Sequence, residues 1–380
     1  MVDVDVTGIG LWTALGKTAQ ANWVNLLAGK SAIALRQPFL SLPAMPLAMT
    51  DKFPADPADL LLTTVKAAMA DAELKPPLGN CGVVVGSSRS YLNRWEAMAR
   101  GELSLDNWLP ALPCNLSRQV AQATGSGGPV LAPMAACATG LWALFQGYML
   151  LQTGQCERVV VAAVDAPITP LTLTGFRRMG AMAKDGCYPF DCDRNGLVLG
   201  EGAAAVVLEA RGTSQGSTAY GQILGFGLSN DAYHISSSQR DGTLAVAHQC
   251  LQRSGLRAND IDYVHTHGTG TRLNDANEAY MIQQLFPGSA VSSTKGATGH
   301  TLGAAGLIGA VFSLLSLQQQ QLPPCVGLKR PEFDLNFVRV GARCSKAIKH
   351  VLCSSFGFGG QNAIVAIAHR PNFKVSTSPG

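Results

Sequence analysis

Residues 129–151 read Pro129-Val130-Leu131-Ala132-Pro133-Met134-Ala135-Ala136-Cys137-Ala138-Thr139-Gly140-Leu141-Trp142-Ala143-Leu144-Phe145-Gln146-Gly147-Tyr148-Met149-Leu150-Leu151, and the fold turns on whether this is one apolar span or two elements. The stretch is long enough to cross a bilayer. Pro133, Gly140, Gln146 and Gly147 interrupt it, and no basic cluster anchors its ends. It therefore reads as a buried strand from Val130 to Met134 that turns at Cys137 into a buried helix over Ala138 to Leu151, and no membrane span is expected.

The same grammar extends outward in both directions. Val2 to Gly10 alternates like a strand, Leu60 to Leu74 repeats alanine and leucine at helical spacing, and Cys81 to Gly86 is a continuous apolar strand. Val159 to Val164 and Ala203 to Leu208 are further buried-strand runs. A second half replays the pattern, with strands at Gly221 to Gly227, Tyr263 to His265, Val351 to Cys353 and Ala363 to Ala368, and a helix at Thr243 to Ser254. Alternation of this kind predicts an α/β protein with largely covered sheets. No long linker separates the halves, so 1–215 and 216–380 are expected as two fused units.

Bulk properties agree. The 380 residues exceed the roughly 250 to 300 at which one core stops growing. Hydrophobic residues at 47% against 14% charged require much buried surface, some of it under another subunit. The net charge of +4 is scattered without a basic run or aromatic interleaving, which excludes a nucleic-acid binder but suits an acidic protein partner. Ten dispersed cysteines, with Asp3 and Asp5 where a basic leader would lie, point to reduced thiols in a cytoplasmic protein. Cys187 and Cys192 lack a second metal-ligand pair at finger spacing, so no metal site is expected.

Four small-residue strings carry the chemistry. Cys137 falls between a strand and a helix N-terminus, whose free N–H groups and dipole favour thiolate over thiol, although a buried structural cysteine would read the same way. His267 lies just past a strand in a Gly-Thr-Gly-Thr loop, and His265, two residues earlier, competes with it. Thr269 and Thr271 offer hydroxyls to the amides of a long substrate. Lys295 and His300 bracket Gly296-Ala297-Thr298-Gly299. A lysine beside two histidines would hold both imidazoles neutral, able to donate N–H bonds to a carbonyl. Neither the P-loop spacing nor a dinucleotide fingerprint fits these glycines. Ser354-Ser355-Phe356-Gly357-Phe358-Gly359-Gly360-Gln361-Asn362 brings flexible backbone close enough to supply an oxyanion N–H, though a plain hairpin turn fits it too.

Together these strings resemble the β-ketoacyl-[acyl-carrier-protein] synthases of the thiolase superfamily. Val6-Thr7-Gly8-Ile9-Gly10 is similar to that family's opening strand, and Pro189-Phe190-Asp191 through Gly200-Glu201-Gly202-Ala203 to its central signature. The resemblance implies a five-layered αβαβα fold of two similar halves, an acyltransferase activity joining an acyl thioester to malonyl carrier protein, and Cys137 as acyl acceptor. It further implies His267 and His300 as promoters of decarboxylation, Lys295 as their support, and N–H groups of Cys137 and Phe358 as the oxyanion hole. Phe358, flanked by Phe356 and Gly357, would gate the site, and Thr269 and Thr271 would hold the phosphopantetheine arm. No metal or soluble cofactor is implied. The implied partners are an acyl carrier protein and either a second copy or a related ketosynthase-like chain.

The chain also departs from that pattern. Gly309 stands where many relatives carry glutamate, Gln361 where threonine is common, and Asn195 and Leu197 replace an Asp and a Phe. These changes suggest a specialised synthase. Thr294 to His300 and Leu322-Pro323-Pro324-Cys325 are similar to synthases of aryl-polyene pigment pathways. A non-catalytic chain-length-factor-like subunit is the alternative, but such chains typically lack the cysteine. Phe145, Met134 and Met182 are expected to line the acyl pocket, and Arg177, Arg178 and Lys66 to meet the carrier.

Overall fold

Apolar runs become strands here because both of their faces are covered: Val159 to Val164 are all fully buried. The computed structural model describes residues 2–213, 219–231, 240–344 and 346–370, so the expected boundary at 215 lies outside the described residues. In chain order the first half holds β1 (Val4–Thr13), α1 (Ala19–Leu27), a hairpin of β2 (Ala34–Arg36) and β3 (Met45–Leu47), α2 (Pro57–Asp71), β4 (Cys81–Gly86), α3 (Leu92–Ala99), α4 (Asn115–Thr124), β5 (Val130–Leu131), α5 (Thr139–Gln152), β6 (Arg158–Asp165), α6 (Pro170–Arg178) and β7 (Gly202–Ala210). The second holds β8 (Gly221–Asn230), α7 (Arg240–Ser254), β9 (Tyr263–His265), α8 (Arg272–Leu285), β10 (Ala290–Ser292), α9 (Lys295–Thr298), α10 (Ala305–Gln319), β11 (Asn336–Phe337), β12 (His350–Gly357) and β13 (Gln361–Ala368).

Among the described residues, eleven strands join in the order β11-β10-β9-β12-β13-β8-β1-β7-β6-β4-β5. The seam is a short antiparallel pairing of β1 with β8, from Val4 opposite Ile223 to Val6 opposite Gly221. Outward from it, β1-β7-β6-β4-β5 and β8-β13-β12-β9-β10 repeat one pattern: two antiparallel pairings followed by two parallel ones.

Helices α5 and α10 pack on each other and touch strands of both halves, while α2 and α4 cover the outer face of the first half and α7 the outer face of the second, with α8 against α7. Three apolar clusters fill the spaces between these layers. The result is the five-layered αβαβα fold of the thiolase type.

Apolar on every side, α10 is buried from Ala305 to Leu317. Residues 302–319 are long and apolar enough to cross a membrane, yet 89% of that window is buried inside the protein. At the crossing of α5 and α10 there is no room for side chains: a Cβ on Gly140 would sit 2.6 Å from the Leu307 nitrogen, and one on Gly306 2.9 Å from Leu141 Cγ. This close approach brings the N-terminal ends of the two central helices together.

Candidate active site

Cys137 sits two residues before α5. The strand expected to reach Met134 stops at Leu131, and Met134 is exposed. Ala136 then adopts φ of 46°, a left-handed conformation that a side chain resists, and so turns the chain sharply into the helix. Thr139 braces the turn: its Oγ1 accepts from the Ala135 N–H at 2.8 Å and donates to the Ala136 carbonyl at 2.6 Å. Ser355 Oγ donates to the Cys137 carbonyl at 2.9 Å, which ties the turn to β12 in the other half.

The Cys137 sulfur lies 3.2 Å from His300 Nε2. Contrary to the helix-dipole expectation, its resting state is a thiol. Burial pushes it up to about 11, outweighing the pull of the Lys295 charge, the Phe358 backbone N–H and Arg89. A neutral thiol beside a neutral imidazole is therefore the resting pair.

His300 is fixed by its backbone, with its N–H on the Val198 carbonyl at 2.6 Å and its carbonyl accepting from Gly200 at 3.0 Å. The His267 ring stands edge-on to it, centroids 5.3 Å apart at 84°, and Phe356 packs edge-on to His267 at 6.1 Å. Nδ1 of each imidazole is buried without a protein partner. Both histidines are held well below their usual range, chiefly by burial and only secondarily by Lys295. The lysine expected to keep them neutral thus takes second place to desolvation. Lys295 Nζ donates to the His267 carbonyl.

His265 turns elsewhere. Strand β9 ends at it, and the two rings, although only two residues apart, meet different partners. His265 Nε2 lies 3.3 Å from Thr294 Oγ1 and Nδ1 3.8 Å from Cys353 Sγ, in the notch that Gly309 leaves open.

Two carboxylates that the sequence did not single out hold the His267 loop. Glu278 accepts the N–H groups of His267 and Gly268, each at 2.7 Å, and Ser354 Oγ at 2.6 Å. Asp275 accepts from Thr269 at 3.0 Å, Gly270 at 3.2 Å and Phe190 at 2.8 Å. Their signal was the spacing of two acids three apart in the first turns of α8, where a solvated helix face is the commoner meaning. Because Glu278 uses both oxygens on backbone donors, Glu278→Gln should leave one N–H facing an amide NH2. The expected cost is about 1–3 kcal/mol, read as a lower melting temperature.

Cys137, His267, His300, Thr269, Thr271, Phe356, Gly357 and Phe358 all line one cavity of about 570 Å³, with Lys295 behind it. Thr269 and Thr271 hydroxyls lie 2.8 Å apart. The departures Asn195 and Leu197 also face this cavity. None of the three residues expected at the acyl pocket lines this cavity: Phe145 packs against Trp142 and Phe226 in the central layer, Met134 is exposed, and Met182 bridges to Leu197. Phe176, Met179 and Leu197 line it instead. Arg177, Arg178 and Lys66 are exposed. Cys187 is buried with its thiol 3.4 Å from the Thr269 carbonyl, whereas Cys192 is exposed.

Comparison with known proteins finds matches to both halves of the chain. The profile described as "Beta-ketoacyl synthase, N-terminal domain" fits residues 54–213, and "Beta-ketoacyl synthase, C-terminal domain" fits residues 220–329. A mitochondrial 3-oxoacyl-[acyl-carrier-protein] synthase of Arabidopsis thaliana is 36% identical over 281 residues, covering 69% of this chain and 61% of that protein. A 3-oxoacyl-[acyl-carrier-protein] synthase 2 of Rhizobium meliloti is 31% identical and covers 95% of this chain and 97% of its own length. Among solved structures, a type II polyketide-synthase acyl carrier protein in complex with its ketosynthase bound to a hexaketide superposes with a TM-score of 0.90 at 23% identity, covering 97% of this chain and 100% of that one.

Proposed function

Because this chain belongs to the β-ketoacyl synthase family, we propose that Cys137, His267, His300 and Lys295 perform the family's chemistry in the cavity that joins its two halves. The activity is that of a β-ketoacyl-[acyl-carrier-protein] synthase, an acyltransferase that extends an acyl thioester by decarboxylative Claisen condensation with malonyl carrier protein. One observation carries the residue assignment: a sulfur and two imidazoles from distant parts of the sequence meet within 3.2 Å and 5.3 Å.

In the first step the Cys137 sulfur attacks the acyl carbonyl while His300 Nε2 takes its proton. The carbon–sulfur bond to the pantetheine breaks, and the departing thiol receives that proton. The N–H of Phe358, aimed at the sulfur, is placed to meet the developing oxyanion together with the N–H of Cys137. Malonyl thioester then occupies the emptied arm site, its pantetheine along Thr269 and Thr271. Carbon dioxide leaves, and the N–H of the neutral His267, with that of His300 once its proton has moved from Nδ1 to Nε2, receives the charge that develops on the thioester oxygen, while the enolate carbon displaces Cys137 from the acyl carbon. A proton restores the thiol. Neutral imidazoles suit this step because each still has one N–H to donate where burial disfavours the charged form.

His300→Ala should lower malonyl decarboxylation by about 10²–10³, the usual cost of one oxyanion donor. Acylation should also fall, but should recover as pH rises toward the thiol's own ionisation near 11, which decarboxylation should not do. Carbon dioxide release and intact-mass acylation across pH separate the two. Equal recovery of both activities would count against the assigned roles.

The chain acts on carrier-bound substrates and pairs with a second copy or with a related ketosynthase-like chain. The exposed edge at β5, with Val130 and Met134 in solvent, supports a subunit partner there. Cys137 together with both histidines favours the catalytic member of such a pair over a chain-length-factor-like one. Asn195 and Leu197 on the cavity wall, with the Thr294–His300 string, support a polyene- or polyketide-type substrate over primary fatty-acid synthesis.

A further inference from the structure

Arg89 carries a charge that this mechanism leaves unused. Strand β4 ends at Gly86, and a single buried carboxylate grips the residues that follow. Asp165, the last residue of β6, accepts from Ser87 Oγ at 2.7 Å, Ser88 Oγ at 2.5 Å and the Arg89 N–H at 2.9 Å, and also from the Gly303 N–H at 2.7 Å. Gly303 adjoins Leu302, which is buried in one apolar cluster with Cys137 and Phe176. Arg89 therefore leaves a fixed turn beside the reacting sulfur, not a loop lying in solvent.

Its guanidinium carbon lies 5.7 Å from the centre of the Phe176 ring. Phe176 stacks on Phe358 at 6.0 Å, and both rings line the cavity that holds Cys137. Arg89 Nε is buried with no hydrogen-bond partner. Among the described residues the guanidinium forms no ion pair. Its charge is felt at the Cys137 thiol, which it helps to lower. A partly desolvated guanidinium held against the Phe176 ring is costly unless an oxygen acceptor meets it.

We propose that Arg89 selects acyl groups bearing an oxygen acceptor, a carboxylate or a hydroxyl, at the end remote from the thioester. The proposal rests on Cys137 being the acyl acceptor. Arg89 does not itself line the cavity, so an acyl chain reaches its guanidinium only by passing the Phe358 and Phe176 rings. A methyl end would displace water from Arg89 and give nothing back, whereas an oxygen end completes a charge-assisted hydrogen bond.

The test uses the full-length protein and pantetheine thioesters of one chain length ending in methyl, hydroxyl or carboxylate, with the acylation rate read by intact mass. Wild type should take the oxygen-ended acyl groups faster than the methyl-ended one by about tenfold or more, the scale of one such bond. Carboxylate should exceed hydroxyl. Arg89→Leu should abolish or invert the ratio, and Arg89→Lys should keep the preference for carboxylate. A wild-type ratio near unity overturns the proposal, as does an unchanged ratio in Arg89→Leu with an altered subunit assembly, which would make Arg89 a subunit contact. Should Arg89→Leu fail to fold, Arg89→Met supplies the same comparison. Absence of any label on wild-type Cys137 would instead overturn the acyl-acceptor assignment.

Discussion

Cys137→Ala is expected to end condensation, with elongated product falling by on the order of 10⁴ or more, because no other group can hold the acyl chain as a covalent intermediate. Malonyl decarboxylation should survive, since His267 and His300 remain in place. The melting temperature should move little: the sulfur's polar contacts are confined to His300 and the Phe358 N–H, and alanine fills most of its space. Intact-mass labelling that persists in the variant would show the wrong nucleophile. In wild type, alkylation of this thiol should climb as pH approaches about 11. A low midpoint, in the range of thiols activated by a helix N-terminus, would mean that the dipole of α5 outweighs burial after all.

Gly309→Glu should destabilise the protein severely. A Cβ at 309 would sit 2.7 Å from His265 Cε1, 2.8 Å from its Nδ1 and 3.0 Å from Cys353 Sγ. The space a glutamate would need already holds an imidazole and a thiol. His265 is neutral there, held at about 3 by burial, and Cys353 is pushed up to about 12. Overlap and a buried carboxylate together should cost about 4 kcal/mol or more. Thermal melting reads the loss directly. Adding His265→Ala should restore part of it by opening the notch, and a single Gly309→Glu variant that melts like wild type would sink this account. The histidine at 265 and the glycine at 309 thus form one compensated pair.

The layers of the fold were legible because strands covered on both faces leave continuous apolar runs, and Cys81–Gly86 and Tyr263–His265 matched their strands end for end. The seam of β1 and β8 left no mark, since strand direction and pairing are not written in composition. The residues that meet at the cavity were legible because small neighbours surround them. Their supports were not: Glu278, Asp275 and Asp165 look like ordinary surface acids until the chain brings backbone donors to them. The apolar part of the cavity wall was least legible of all, because Phe176 and Met179 from the end of α6 and Leu273 from α8 reach it from segments that carry no motif. Nor could the sequence weigh desolvation against a helix dipole at Cys137, a balance set by everything packed around it.

Every histidine in the sequence comes after Asp231, in the part of the chain that emerges last. The segment bearing Cys137 leaves the ribosome with no imidazole to relieve it of its proton, and the seam that joins it to the rest pairs only residues 4–6 with 221–223. A polypeptide truncated before β8 therefore brings no imidazole to Cys137, however well it folds.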